Sequence, residues 1–505
     1  MSIGSKIIFA SLFASFAWPS LVSGQVDDAF NKARKTTTSR TSAFNQNRVG
    51  NFNDYRTKLN VEYVRITREP WKDFRSNPQL EDPDRNVKPV VPIKMSDEDA
   101  SRPKNDRQID FGGTVKPVKG NPAPPSPIAP VKDVPEDGQQ YFSFTYYGTP
   151  CNVRKPNNGT FRLKGTDNNS VADGWERLSK NQYNNMLVDC LKLRSEKKLC
   201  DWAYLMMLRQ LSDAYLGAGT NEATLLMAFL FSQSGYKMRL GENGGKLYML
   251  YASKHDVYGH IYFQCDGEKF FMMDNYSGSL KINAAKFPKE QSVSLWVNNL
   301  PQVQYNGSPL RTLTSKRYPD MSVKVSINKN LLDFYTSYPS SEVGGNLMTR
   351  WAMYANTSIC QEGRTALYPQ LKNCINGKTQ LEQVERLLNW VQTAFVYEYD
   401  DKVWGCDRAF FPDESLYYPY CDCEDRSILF TRLVRDLLGL KCVLIYYPGH
   451  LASAVCFTDE SQVAGDYLLI GGKRFFIADA TYIGASVGMT MPNMDNATSK
   501  VIILE

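Results

Sequence analysis

The stretch PYCDCEDRSILF, residues 419–430, sets Cys421 and Cys423 among the acids Asp422, Glu424 and Asp425, just ahead of an apolar run. It can be read as a metal knuckle, as half of a disulfide, or as a nucleophile at the start of a helix. A metal site needs partners. The chain has only His255, His260 and His450, the spacing is C-x-C, and no second pair stands at zinc-finger distance. No metal ligand set and no cofactor is therefore expected. The disulfide reading would pair Cys423 with Cys421 or Cys406. In the nucleophile reading, Pro419 and Asp422 mark a helix start. Apolar residues then recur at 429, 430, 433, 434, 437 and 438, and Gly439 closes the helix. Cys423 falls in the first turn, where unpaired N–H groups and the helix dipole favour a thiolate and lower its pKa.

A nucleophile of this kind needs a base and an orienting acceptor. His450 lies between the strand patterns KCVLIYY and LASAVCF, and Asp479 ends the pattern KRFFIAD. Each has a plainer reading alone: a loop histidine after Pro448-Gly449, and a turn-capping aspartate. Taken in order, a Cys at a helix start, a His at a strand start and an Asp at a strand end suit acyl transfer.

Those motifs carry a resemblance. YCDCEDRSILFTRLVRDLLGLK, YPGHLASAVCF and FFIADATY resemble the transglutaminase-like domain of papain-like cysteine enzymes, and the DCEDRS form looks like its bacterial exported members. The resemblance is tight over 381–482 and loose over 200–275. It implies Cys423 as nucleophile, His450 as base and Asp479 as orienter. It also implies an oxyanion hole from the Cys423 backbone N–H and one upstream donor. Trp390 and Gln392 are the candidates on the preceding helix, with Tyr418 and Tyr420 as others.

The rest of the chain frames this site. At 505 residues and 42% hydrophobic it is long enough for two or three cores. A net charge of +6 without a concentrated basic face argues against nucleic-acid binding. Residues 1–24 combine Lys6, a short apolar run and Val22-Ser23-Gly24, the pattern of a signal peptide. No cysteine follows at once, and no later apolar run is long enough to span a bilayer. The expectation is an exported protein, periplasmic or secreted. In that setting Cys360–Cys374 is the first expected disulfide and Cys190–Cys200 the second.

Residues 25–75 read as a helical arm that could tether an envelope partner, and 76–137 as a Pro-rich, extended or disordered linker without its own core. From 138 the texture is α+β. Residues 138–290 and 381–505 share the order of helix, Gly-x-Lys, Gly-His and Phe-Phe-x-x-Asp, joined by a connecting region over 291–380. This predicts a duplication, with the first block a degenerate copy. Aligning Gly235 with Gly439 puts Gly219 where Cys423 stands, while His260 and Asp274 persist.

The expected activity is a cysteine-dependent amide hydrolase acting on a peptide or protein substrate through an acyl-thioester. The alternatives are a protein-crosslinking acyltransferase and a non-catalytic envelope binding or scaffold protein.

Overall fold

The Asp422–Gly439 segment folds as its pattern requires. The helix Cys423–Leu438 has Asp422 at its N-cap and Glu424 and Asp425 in its first turn, and Gly439 closes it in the left-handed region at φ 67°. Its buried face includes Ile428, Leu429, Phe430, Leu433 and Val434. An earlier helix packed against it, Gln380–Ala394, begins with a capping box in which Thr379 and Glu382 satisfy each other's backbone N–H groups.

The computed structural model describes residues 55–81, 88–95, 102–117, 120, 123–134, 137–157, 159–180 and 183–505. The expected signal peptide and most of the expected arm lie outside them; residues 55–67 are helical, as the spacing predicts. Contacts divide the chain into Met1–Tyr55 and Arg56–Glu505. The second unit is a mixed α and β structure built on two antiparallel sheets, one widened at an edge by Lys72–Arg75 and the other at both edges by strands from the 76–137 region.

In the C-terminal sheet the strands Lys441–Tyr447, His450–Cys456, Asp466–Ile470, Lys473–Ile477 and Lys500–Ile503 stand in the spatial order third, fourth, second, first, fifth. In the other sheet the strands Met238–Asn243, Lys246–Ala252, Tyr262–Cys265, Glu268–Met272 and Ser279–Ile282 stand in that same order. All neighbours within each set of five are antiparallel. Each first-and-second hairpin is covered by the helix that precedes it, Cys423–Leu438 in one case and Asn221–Gln233 in the other.

Shared strand order corrects the residue matching read from the motifs. The first pair of the C-terminal hairpin is Tyr447↔His450, and its equivalent is Asn243↔Lys246. Lys246 therefore holds the place of His450. His260 instead precedes the third strand. Gly219 lies ahead of the N-cap Thr220 at φ 72°, and Asn221 is the first helical residue, as Cys423 is. Asp274 follows its strand by the same interval as Asp479 and keeps its assignment. Gly-His dipeptides match in sequence but fall on different strands, because the loops between strands differ in length.

Two further expectations change. The 76–137 region has no separate core, but its described residues are not free linker. Arg107–Gln108 and Thr114–Val115 add parallel strands to opposite edges of the C-terminal sheet, satisfying edge groups that would otherwise face solvent. All eleven cysteines are unpaired. Cys360 is the N-cap of the helix Gln361–Ile375 and Cys374 sits near its other end, about 20 Å away at 1.5 Å per residue, so they cannot bridge. Cys190 and Cys200 are likewise free, Cys190 fully buried.

A single large core joins the helix-facing sides of both sheets, with Trp175, Tyr63 and Phe287 stacked in it and Trp390 at its C-terminal side. Among the described residues no helix is long and apolar enough to cross a membrane.

Candidate functional site

His450 is set by a tight turn. Pro448 and Gly449 make the two-residue loop, with Gly449 at φ 77°, so His450 is the first residue of the second strand. The fourth strand pairs Ala454↔Ile477 and Val455↔Phe476. Continued by two residues, that register sets Asp479 opposite Ala452, on the face that His450 shares because side chains alternate. The predicted pair forms: His450 Nε2 lies 2.9 Å from Asp479 Oδ2, with both side chains almost fully buried. Asp479 Oδ1 accepts from the Thr481 and Tyr482 N–H groups at 2.8 and 3.3 Å, which fixes its orientation.

Cys423 enters from the helix. Ser427, one turn on, donates its hydroxyl to Leu451 O at 2.7 Å and pins the helix start to the His450 strand. Cys423 and His450 line one small cavity of about 50 Å³, together with Trp351, Asp407, Asp422 and Glu424. His450 Nδ1, the ring nitrogen not used by Asp479, is buried without a hydrogen-bond partner. Two of the three predicted residues, Cys423 and His450, thus line one cavity, and the third, Asp479, is bonded to His450 behind it.

The electrostatics reverse one expectation. A helix start alone would lower the thiol pKa. Here burial pushes it well up, and the neighbouring Glu424 and Asp422 carboxylates push the same way. The Leu451 backbone N–H opposes them. The Cys423 thiol donates to Glu424 Oε2 at 3.1 Å, so at rest it is a protonated thiol held by an acid. Sequence spacing located the dipole but could not weigh the acids beside it.

The upstream donors proposed from the resemblance are engaged elsewhere. Trp390 Nε1 donates to Leu313 O at 3.1 Å, deep in the core. Gln392 Nε2 donates to the carbonyls of Asp479, Tyr482 and Ala485 at 2.9–3.2 Å, so it braces the loop that carries Asp479. Tyr418 packs edge-on to Trp404, and Tyr420 is exposed.

Two residues that sequence reading missed have the required property. Trp351 lines the cavity, and its Nε1–H is buried with no acceptor. Its ring is held by stacking on Tyr446 at 5.2 Å. The Tyr397 hydroxyl is also buried and unpartnered. Burial raises its pKa, with Cys423, Asp422 and Glu424 adding to the effect. Trp351 stands 72 residues before the cysteine, in a region without a motif; only folding brings it there.

The surrounding acids form a cluster. One carboxylate oxygen each from Asp400, Asp407 and Glu424 lie within 4.8 Å of one another, as do those of Asp400, Asp422 and Asp425. Hard oxygens in this number are the donors that Ca²⁺ or Mg²⁺ takes. Arg350, almost fully buried, pairs with Asp407 at 2.9 Å and offsets part of the charge.

The equivalent place in the first sheet has different chemistry. Asn221 Oδ1 accepts from Leu247 N at 2.9 Å, where Cys423 faces Leu451. Asp274 pairs with Arg209 at 3.0 Å. His260 Nδ1 lies 3.0 Å from the Tyr251 hydroxyl, and burial lowers its pKa to about 4, so it is a neutral, satisfied histidine. No nucleophile stands at this position.

Comparison with family models, with curated proteins and with solved structures finds no match to this chain.

Proposed function

We propose that this protein is an exported, cysteine-dependent amide hydrolase of transglutaminase-like fold. The observation that carries the reading is the buried His450–Asp479 pair, with His450 Nδ1 unpartnered and His450 lining the same cavity as Cys423. The repeated strand order supports a duplication in which the first copy lost its nucleophile and serves as scaffold or partner surface. Export rests on the signal-like residues 1–24.

In this reading His450 Nδ1 takes the thiol proton as Sγ attacks the carbonyl carbon of a peptide amide. The carbonyl π electrons move to oxygen, and Trp351 Nε1–H and the Cys423 backbone N–H at the helix start stabilise that oxyanion. When the tetrahedral centre collapses, the C–N bond breaks and the leaving amine takes the proton from His450. A thioester remains. Water, deprotonated by His450, attacks it; the C–S bond breaks and Sγ recovers its proton. A substrate amine in place of water would give crosslinking, which is the alternative outcome of the same intermediate. Asp479 keeps the imidazole in the tautomer with Nδ1 open to accept.

The test is site-resolved alkylation of the reduced protein across pH, paired with turnover of peptide anilides. Cys423 should depend on His450, with His450→Ala slowing its labelling by about tenfold or more, and Cys423→Ala should abolish turnover without loss of fold. Turnover that survives Cys423→Ala sinks the mechanism.

A further inference from the structure

The candidate site is closed. Cys423, His450, Asp479 and Trp351 are each 6% exposed or less. The cavity that Cys423, His450 and Trp351 border, about 50 Å³, has room for only a few waters, whereas ligand pockets run to several hundred Å³. A peptide amide with its flanking residues cannot enter unless a wall moves. Most of the walls belong to the main core or to the sheet. Two do not: Asp407, which the buried Arg350 holds at 2.9 Å, and Pro89, in the described segment 88–95, Lys-Pro-Val-Val-Pro-Ile-Lys-Met, which no ion pair holds among the described residues.

This segment is an extended strap. Val90 N–H donates to Gly449 O at 2.8 Å, immediately before His450. Ile93 O accepts from Ile483 N at 2.9 Å, and Met95 N–H donates to Ile483 O at 2.9 Å, four residues beyond Asp479. Val90, Ile93 and Met95 pack in a small satellite cluster with Tyr482, Ala485 and Met491, apart from the main core. The strap therefore joins the turn that presents the base to the loop that follows its orienter. An added extended chain, held by main-chain hydrogen bonds with alternate side chains in shallow pockets, is how peptide ligands are commonly bound. Pro89 and Pro92 favour the extended state through their fixed φ.

We propose that residues 88–95 are a tethered pseudosubstrate, that the groove beneath them is the substrate site, and that its substrates are extended apolar peptides containing proline or β-branched residues. The proposal rests on the reading of Cys423 as an acyl-transfer nucleophile and adds to it a substrate class and a built-in latency. Displacement of the strap opens the cavity from the Pro89 side and exposes the Gly449 and Ile483 backbone groups to an incoming chain. The strap's intramolecular concentration is high, so a free peptide competes only after the strap has been loosened.

The experiment uses the full chain. Val90→Pro removes the donor to Gly449, and Ile93→Asp disfavours the satellite cluster. In the double variant the rate of Cys423 alkylation by iodoacetamide should rise at least about tenfold, and a synthetic peptide of sequence KPVVPIKM should slow it again while a scrambled one does not. If the double variant fails to fold by circular dichroism, Pro89→Gly, at an exposed position outside every core cluster, carries the same comparison. Equal rates in wild type and released protein overturn the strap and leave the hydrolase reading untouched. Faster labelling with no turnover of any peptide amide keeps the strap and overturns the hydrolase.

Discussion

Glu424 is predicted to hold the Cys423 thiol protonated at rest, and Glu424→Gln should release it. The Cys423 sulfur and Glu424 Oε2 are 3.1 Å apart in a buried setting. Two unit charges at that distance, in an effective dielectric of about 20, repel by about 5 kcal/mol, which bounds the effect at almost four pKa units. Glu424 is itself pushed toward protonation by burial and by Asp407, so it carries only part of that charge. The thiol pKa should therefore fall, by less than that bound. A weaker base is also a weaker nucleophile, with a Brønsted slope of about 0.5, so each tenfold gain in thiolate at pH 7 should raise alkylation only about threefold. The assay is the pH profile of iodoacetamide labelling at Cys423, read by peptide mass spectrometry, with Glu424→Asp as the charge-retaining control. A midpoint that stays put or moves upward in Glu424→Gln would refute the argument that this carboxylate controls the sulfur.

Trp351→Phe keeps the ring against Tyr446 but deletes the orphan N–H; kcat should fall by roughly 10²-fold with little change in KM, and an unchanged kcat removes Trp351 from the oxyanion hole. Asp413 is fully buried and its pKa is raised by burial to about 6, so the folded state keeps a proton that the unfolded state gives up near 3.8. The sign follows: this group's stability is fully present below about pH 4 and is lost as pH rises through about 6, a change of about 3 kcal/mol. Asp413→Asn removes that titration, so in urea melts the variant should gain on wild type between pH 4 and 7; a constant difference across that range would contradict it.

Much of the local structure was legible. The helix Cys423–Leu438 carries its own start signal, apolar face and terminating glycine within 18 residues, so local rules suffice. The same holds for the strands around His450 and Asp479, whose alternation and turn residues are contiguous. Chain order alone therefore brought Cys423, His450 and Asp479 forward as one set. The shared strand order was legible as a rhythm of elements but not in its residue matching: dipeptides were aligned, whereas hairpin register sets Lys246 in the place of His450 and helix position sets Asn221 in that of Cys423.

What the amino-acid sequence determined by itself is what depends on neighbours along the chain: helix ends, strand alternation and the order of the three site residues. What only the tertiary structure decided depends on neighbours across it. Packing brought Trp351 into the cavity and turned Trp390 away from it. It buried the thiol together with its neighbours Asp422 and Glu424, so that burial and charge overrode the helix dipole. It also laid a stretch that reads as linker across the site, because exposed sheet edges and an apolar cluster offered backbone and side-chain partners that no local pattern announces.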